Sequence, residues 1–285
     1  MWYHISVQGN GSQIIFWDTE DILHAIDLLA VYSHLHKVDV LAYQFLSNHY
    51  HLIVKCENPS GFMQGYRVSY SKYFNYKYCS SGAVGRLRFS RGKIIDHGKL
   101  EDRLIYVLRN SVHHKIFEHP YRDSYNSAQF YFFRERNINE PENLHLAGGG
   151  KFLKHNKYCV PVHFLMNPTG HIYPRSFLKY NEVEKLFGSY ANFITKISTP
   201  TEKEISANQG RLPNPRTVSI NDLQLSEKVL QIIKPRSRES LSFAEVLTLC
   251  GKLQRKYPVS VRQLSRVFGI PESTLRRRLK GWGEG

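Results

Sequence analysis

The sequence predicts an α+β protein in which a ferredoxin-like split β-α-β sheet with one added helix precedes a mainly helical C-terminal region. Strand-like and helix-like segments follow one another in the order β-α-β-β-α-β-α over residues 3–111, which is the order of the split β-α-β arrangement with one helix more. Two polar stretches, 137–157 and 199–217, then interrupt the chain. Beyond them the apolar residues recur with helical spacing.

The first strand and the first helix are predicted from alternation and from helical periodicity. Residues 3–9 alternate in strand fashion and end at Gly9 and Gly11. Thr19 is expected to cap the helix that follows. The apolar residues of that helix recur three and four positions apart: Ile22, Leu23, Ile26, Leu29 and Ala30.

A hairpin and a second helix come next. Residues 38–46 and 49–56 are rich in strand-forming residues, and Ser47-Asn48 between them is favourable for a tight turn. Pro59 is expected to open a helix that ends near Tyr78. Residues 80–85 are expected to form a flexible break.

The fourth strand is predicted over residues 86–96 and the third helix over residues 99–111. The strand carries four basic residues, Arg86, Arg88, Arg91 and Lys93. These cations are the strongest candidates for holding a nucleic-acid backbone, although cations on an edge strand also serve only to prevent aggregation.

The rest of the chain is predicted to hold a connection and a second domain. Glycines 148–150 indicate a linker, residues 181–197 indicate one helix, and three prolines mark the polar stretch 199–217. We therefore expect a first domain at 1–136, a partly structured connection at 137–217 and a helical domain at 218–285.

The composition favours a polyanionic partner. The formal net charge is +15, and aromatic residues make up 13% of the 285 residues, so cations for phosphates and rings for unpaired bases are both available. No apolar run is long enough for a membrane span. The four cysteines form no CxxC pair, which argues against a zinc ribbon or a disulfide framework. Together with the lack of a secretion-signal pattern, this predicts a cytoplasmic protein.

His49 and His51 are the first candidate metal ligands. Residues two apart in a strand project from the same face, so both imidazoles are expected side by side on the open side of the sheet while Tyr50 faces the helices. Two neutral imidazoles can share a divalent ion when a third ligand is available. Taken alone, the pair is at least as well explained as two surface histidines in a chain that has fourteen histidines.

Tyr106 lies off the apolar stripe of the third predicted helix. That stripe consists of Leu100, Leu104, Val107 and Leu108, whereas Tyr106 and Asn110 fall nearly opposite to it and one turn apart. Most polar helix faces are simply solvated. A tyrosine and an amide that follow a histidine pair nevertheless indicate a site.

These motifs, in this order, resemble those of the single-tyrosine HUH transposase family, and most closely those of REP-associated tyrosine transposases. Residues 47–53, SNHYHLI, resemble the family signature PNHxHLL, and residues 106–112, YVLRNSV, resemble YIxxNPVRAG. The segment 62–75 resembles the second helix of the family. Ser47 and Ser111 stand where the family has proline. The resemblance covers residues 2–120.

The resemblance implies a DNA-nicking and strand-transfer enzyme that acts on single-stranded or hairpin DNA, as a monomer or homodimer. It implies that Tyr106 is the nucleophile and forms a 5′-phosphotyrosine. It also implies that His49, His51 and Asn110 bind Mg²⁺ or Mn²⁺. Arg103, on the polar face beside Tyr106, is expected to contact DNA. Tyr66, Tyr70 and Tyr73 are weaker candidates for the nucleophile, since their spacing is typical of helix packing.

Residues 259–280 resemble a helix-turn-helix. Leu264, Phe268, Ile270 and Leu275 lie where that motif packs its two helices, and Gly269 supplies the turn. The second helix would direct its polar side chains to duplex DNA: Ser273, Thr274, Arg276, Arg277 and Lys280. An amphipathic hairpin used only for packing is the alternative.

Two other functions fit the sequence less well. The protein could be a non-catalytic DNA-binding regulator that depends on the helix-turn-helix. A replication-initiating or plasmid-nicking enzyme is the third candidate, but such enzymes often carry a different motif order and two tyrosines.

Overall fold

The computed structural model describes residues 1–148, 153, 156–200 and 220–280. The predicted polar boundary at 199–217 lies almost wholly outside these residues, and so do the second and third glycines of the predicted linker.

A four-stranded antiparallel sheet forms the centre of the N-terminal part. Its strands are β1 (Trp2–Gln8), β2 (Asp39–Leu46), β3 (His49–Lys55) and β4 (Ser90–Ile94), in the spatial order β2-β3-β1-β4. The helices α1 (Thr19–Leu35) and α2 (Ser60–Tyr78) connect the strands. This is the ferredoxin-like arrangement that the sequence predicts.

The helix α1 is capped by Asp18 and not by Thr19 as predicted. The Asp18 carboxylate accepts a hydrogen bond from the Asp21 N–H at 2.9 Å, and the Asp21 carboxylate accepts one from the Asp18 N–H. Carboxylates near a helix N-terminus also interact favourably with the helix dipole. The prediction placed the cap one residue too late.

One face of the sheet packs against α1 and α2. Ile5, Val7, Tyr50, Leu52 and Val54 point into this core. Tyr66, Tyr70 and Tyr73 are buried in it as well, as their helical spacing predicts.

The other face of the sheet is covered, although the sequence predicts it to be open. Helix α3 (His97–Leu108) packs its apolar stripe on Leu41, Ala42 and Ile53. Helices α5 (Tyr180–Phe187) and α6 (Tyr190–Ser198) pack on α3 through Val183, Phe187, Phe193 and Ile197. The prediction of an open face was wrong, because α3 buries this face and α5 and α6, more than 70 positions downstream, add a further layer over α3.

Three predicted elements have different bounds in the structure. The fourth strand begins at Ser90 and not at residue 86, because the preceding residues follow a separate path bonded to Gln8 and Arg67. The third helix ends at Leu108, and the one-turn helix α4 (Asn110–His113) follows it. The single helix predicted at 181–197 is two helices, because Gly188 adopts a positive φ of 76° that favours glycine.

The remaining short elements connect the larger ones. Strands β5 (His145–Leu146) and β6 (Leu165–Met166) form a two-stranded sheet. The 3-10 turns lie at Asn10–Ser12, Pro120–Arg122, Ser127–Phe130, Pro174–Ser176 and Arg238–Ser240.

The C-terminal region is helical, as predicted. It contains α7 (Asp222–Ile233), α8 (Phe243–Lys256), α9 (Val261–Phe268) and α10 (Glu272–Lys280), with Gly269 at a φ of 68° between the last two. The Arg238 guanidinium lies 3.6 Å from the ring centre of Trp17, and the Thr19 N–H donates to Glu227 at 3.1 Å. The helical region is therefore packed directly on the N-terminal part.

We predict that Leu104→Ala lowers the free energy of unfolding by about 2–5 kcal/mol, because the side chain of Leu104 in α3 is fully buried against the sheet. Urea denaturation followed by circular dichroism measures this. The matched control is Ile95→Ala, where the side chain is 65% exposed and a change below about 0.5 kcal/mol is expected. Equal stability of the two variants would show that α3 is not packed as described.

Candidate active site

The end of β3 next to the hairpin turn positions His49 and His51. Each side chain is only 6% exposed, and their ring centres are 5.2 Å apart. His51 is flanked by Ser6 of β1 and Gln44 of β2 in the sheet. The two imidazoles therefore sit on the α3 side of the sheet, in a buried position.

Burial keeps both imidazoles neutral. Desolvation is the main cause that lowers the pKa of His49 to about 4, and the nearby His114 lowers it further. Desolvation likewise lowers the pKa of His51 to about 2, with His49, His4 and His114 adding to the effect. A neutral imidazole has a lone pair available for a metal ion.

Asn110 meets His49 from the opposite side. It is the first residue of α4, it is fully buried, and its Oδ1 lies 2.9 Å from His49 Nε2. The neighbouring Arg109 fixes this turn, because its buried guanidinium donates to the carbonyl of Ile197 at the end of α6. The turn between α3 and α4 therefore directs the Asn110 amide towards the histidine pair.

The contacts of His49 fit a bound cation. Its Nδ1 lies 2.7 Å from Asn48 Oδ1 while its Nε2 faces Asn110 Oδ1, so both ring nitrogens face oxygen atoms. A neutral imidazole carries only one N–H and can donate to only one of them. A cation bound by His49 Nε2 and Asn110 Oδ1 would satisfy both lone pairs. Ligands of an octahedral Mg²⁺ at about 2.1 Å are about 3.0 Å apart, close to the observed separation.

The amide group of Asn110 also has an unused donor. Its Nδ2 is buried without a hydrogen-bond partner in the described part of the chain. Reversing the amide would leave the oxygen unpaired instead. Such a buried polar atom normally indicates a missing partner.

The side chains that could accompany the histidine pair include an amide. Across the ranges that the structure describes, no three His, Cys, Asp or Glu side chains form a group that could hold a metal ion. Asn110 is positioned to complete the set with His49 and His51.

His4 is a site residue that the sequence reasoning missed. Its Nε2 lies 3.0 Å from His51 Nδ1, and the two rings stack with centres 5.1 Å apart. Desolvation and the nearby Arg103 lower the pKa of His4 to about 4. The predicted alternation of the first strand puts His4 on the face opposite to Ile5. If that strand is paired with the strand of His49 and His51, His4 falls on the same face as the histidine pair.

Tyr106 lies on α3 beside these histidines. Its ring centre is 5.7 Å from those of both His4 and His51, and its side chain is 41% exposed. Arg103, one turn earlier, is also exposed. The apolar stripe of α3 holds the helix down, so that Tyr106 stands at the edge of the histidine cluster where solvent or a ligand can reach it.

The four basic residues near β4 do not gather at Tyr106. Arg86 and Arg88 lie in the segment before the strand, and Arg91 donates to Ser60 at the start of α2. Lys93 projects on the same face as Arg91, because side chains alternate along a strand. Arg88, Arg91 and Lys93 therefore lie on the α2 side of the sheet, across from the histidine pair.

The predicted recognition helix is α10. Ser273, Arg276 and Arg277 are exposed and Thr274 is half-buried. Arg276 also donates to Glu272 at 2.8 Å. Lys280 is the last residue of the helix, and its side chain lies outside the described residues.

The helical region borders the site. A cleft of about 530 Å³ is lined by His49 and His114 on one side and by Arg262 and Arg266 of α9 on the other. Arg266 makes two hydrogen bonds to Asp222, at 2.5 and 2.8 Å. The pKa of His114 is lowered mainly by burial, and the nearby charges of His113 and Arg266 lower it further. The helix-turn-helix and the histidine cluster are thus neighbours.

The other candidate tyrosines are buried away from this cleft. Burial raises the pKa values of Tyr66 and Tyr70 well above the ordinary value of a tyrosine. Burial, with a further contribution from the Asp21 carboxylate, also raises the pKa of Tyr73.

Comparisons with known proteins give a family match over the C-terminal segment and weak structural likenesses. Residues 254–284 match the model of a helix-turn-helix of the Psq type, which confirms the predicted helix-turn-helix. A solved structure described as the REP-associated tyrosine transposase bound to a REP hairpin is similar over 56% of this chain and 92% of that chain, with 13% sequence identity and a TM-score of 0.39. A likeness of that strength identifies neither fold nor activity. No curated protein matches the chain.

In the residues that the structure describes, no helix is long and apolar enough to cross a membrane.

We predict that His49 and His51 stay neutral at pH 5.5. An unperturbed imidazole with a pKa near ~6.5 would be about 90% protonated there, whereas burial lowers these pKa values to about 4 and about 2. The Cε1–Hε1 resonances in NMR spectra recorded between pH 7.5 and 5.5 report this, with free histidine as the reference. A shift of either resonance with a midpoint near pH 6.5 would contradict the prediction.

Proposed function

We propose that this protein is a metal-dependent enzyme that nicks and rejoins single-stranded or hairpin DNA through a covalent bond to Tyr106. The observation that supports it most strongly is the convergence of two neutral, buried imidazoles, a buried amide and an exposed tyrosine ring within one cluster. The net charge of +15 makes a phosphodiester substrate the natural one.

His49, His51 and Asn110 are proposed to hold the divalent ion, Mg²⁺ or Mn²⁺. When bound, the ion supplies Lewis-acid polarisation of the scissile phosphate. Asn48 orients the His49 ring and His4 orients the His51 ring through their hydrogen bonds. Partners of this kind fix the tautomer and the direction of a metal-binding imidazole.

Tyr106 is proposed to exchange one phosphodiester for another. The phenol gives up its proton as its oxygen forms a bond to phosphorus. The bond from phosphorus to the 3′ oxygen breaks, and that oxygen takes up a proton and leaves as a hydroxyl, so the proton count is unchanged. The 5′-phosphotyrosine retains the bond energy, so a 3′-hydroxyl can reverse the step without ATP. Arg103, one turn from Tyr106 and exposed, is placed to attract the phosphate.

The helix-turn-helix is proposed to bind duplex DNA next to the cleaved strand. In such motifs the second helix enters the major groove, and here that helix is α10, with Ser273, Arg276 and Arg277 exposed. Because α9 lines the same cleft as His49, a duplex held by α10 would keep a fixed position relative to Tyr106.

A non-catalytic DNA-binding regulator is the second candidate. The family match favours it to the extent that only the helix-turn-helix segment is matched. The two proposals differ in one respect that can be measured, which is the covalent product.

We predict that the full chain forms a covalent adduct with labelled hairpin DNA carrying single-stranded flanks in the presence of Mn²⁺, and that Tyr106→Phe abolishes it. Phenylalanine keeps the ring but has no oxygen to attack phosphorus. Denaturing gel electrophoresis detects the adduct, and anisotropy should show unchanged DNA binding. Tyr76→Phe, at another exposed tyrosine, is the matched control and should remain active.

A covalent adduct with the Tyr106→Phe protein would overturn the assignment of the nucleophile. DNA binding without an adduct in the wild type would favour the regulator.

We predict that His51→Ala or Asn110→Ala weakens Mn²⁺ binding at pH 7.5 by at least about tenfold, because changes to groups that only support a ligand already cost about 10–100-fold in affinity. Isothermal titration calorimetry measures the affinity. His145→Ala, at an exposed histidine far along the chain, is the control and should bind like the wild type. Unchanged affinity in both site variants would place the ion elsewhere.

A further inference from the structure

A groove of about 720 Å³ runs along α2, which covers the sheet face opposite α3 and Tyr106. Its other wall is the segment 82–91 that leads into β4. Nothing in the reaction proposed above uses this groove.

The groove combines exposed apolar side chains with cations. Val68 is 49% exposed and Leu87 is 82% exposed, and Phe89 lies beside them. Four cations, Arg67, Lys72, Arg88 and Arg91, line the groove, and none of its lining residues is a carboxylate. Apolar surface for a base next to cations for phosphates is the combination that single-stranded nucleic acid requires.

The wall that carries Leu87 is braced so that the leucine points outward. The Arg67 guanidinium donates to the carbonyl oxygens of Leu87, at 2.9 Å, and of Arg86. The Arg86 N–H donates to Gln8 at 2.8 Å. Gly85 has a φ of 80°, and a Cβ there would lie 3.1 Å from the Gln8 carbonyl. Backbone bonds thus fix an exposed leucine between two arginines.

The edge strand β4 connects the groove with Tyr106. Gly92 pairs with His4, and His4 lies beside the Tyr106 ring. Arg91 and Lys93 point to the groove side, whereas Gly92 has no side chain to obstruct the other side. In the described residues β4 pairs only with β1, so this edge is open to a strand that passes over it.

We propose that the groove binds the unpaired DNA strand that leads to Tyr106. A base packs against Val68, Leu87 and Phe89, and Leu87 acts as an apolar wedge beside that base. Lys72 and Arg88 pair with the flanking phosphates. This inference rests on the proposed function, because it takes DNA to be the substrate at Tyr106.

The test measures binding of fluorescent dT12 to the full chain carrying Tyr106→Phe, by anisotropy between 50 and 300 mM salt. One variant combines Lys72→Ala with Arg88→Ala, and its control combines Arg134→Ala with Lys185→Ala at exposed cations elsewhere. A second variant combines Val68→Ala with Leu87→Ala, and its control is Val162→Ala, at a 59% exposed valine. All the changed side chains are exposed, and unchanged melting temperatures verify folding.

The charge variant should bind dT12 roughly tenfold more weakly, with a log-log salt slope shallower by about 1.4, since each single-strand phosphate contact contributes about 0.7. The apolar variant should bind dT12 at least about fivefold more weakly, with an unchanged log-log salt slope. Both should bind a 20-base-pair duplex like the parent, and both controls should bind dT12 like the parent.

Binding of dT12 within twofold of the parent in both groove variants would overturn the inference. A change from dimer to monomer in sedimentation, caused by the apolar variant, would overturn it as well, because the groove would then be a subunit contact. The dT12 measurement does not depend on Tyr106. Failure of the covalent reaction is therefore distinguishable from failure of the groove.

Discussion

The contact between His49 of β3 and Asn110 of α4 is the constraint on which the site depends. Residues 61 positions apart in sequence meet at 2.9 Å in a buried position. Two polar groups are buried there at a cost, and one ring nitrogen and one amide nitrogen are left imperfectly satisfied. Burial lowers the pKa of both imidazoles, and the close approach of His49 Nε2 and Asn110 Oδ1 supports the proposed cation site.

The packing of α3 makes this contact possible. Leu100, Leu104, Val107 and Leu108 seal α3 against the sheet, and the turn at Arg109 then redirects the chain so that Asn110 points inward. Tyr106 lies on the side of the helix away from the stripe and stays accessible. The helices α5 and α6 support this arrangement from outside, and the buried Arg109 guanidinium joins α6 to the turn. Helices remote in sequence therefore help to position groups at the site.

The sequence predicted the sheet, its connections and the helix-turn-helix because each follows from local periodicity and turn residues. It also selected His49, His51, Tyr106 and Asn110, which the structure brings together. It missed the burial of the histidines, which contact Asn110, His114 and His4, and it missed the layer that α5 and α6 add over α3. It missed His4 because a single histidine in a strand gains meaning only from its neighbours across the sheet. The four cations were predicted to lie on one strand, but the strand begins at Ser90, so only Arg91 and Lys93 belong to it, and both lie on its α2 side.

We propose above that His49, His51 and Asn110 together bind one divalent ion beside Tyr106. Anomalous diffraction from crystals of the full chain grown with Mn²⁺ would locate that ion. We expect a single strong peak in contact with both imidazoles and with the Asn110 oxygen, next to the Tyr106 ring. A fully occupied peak elsewhere, with these three side chains free of metal, would contradict it.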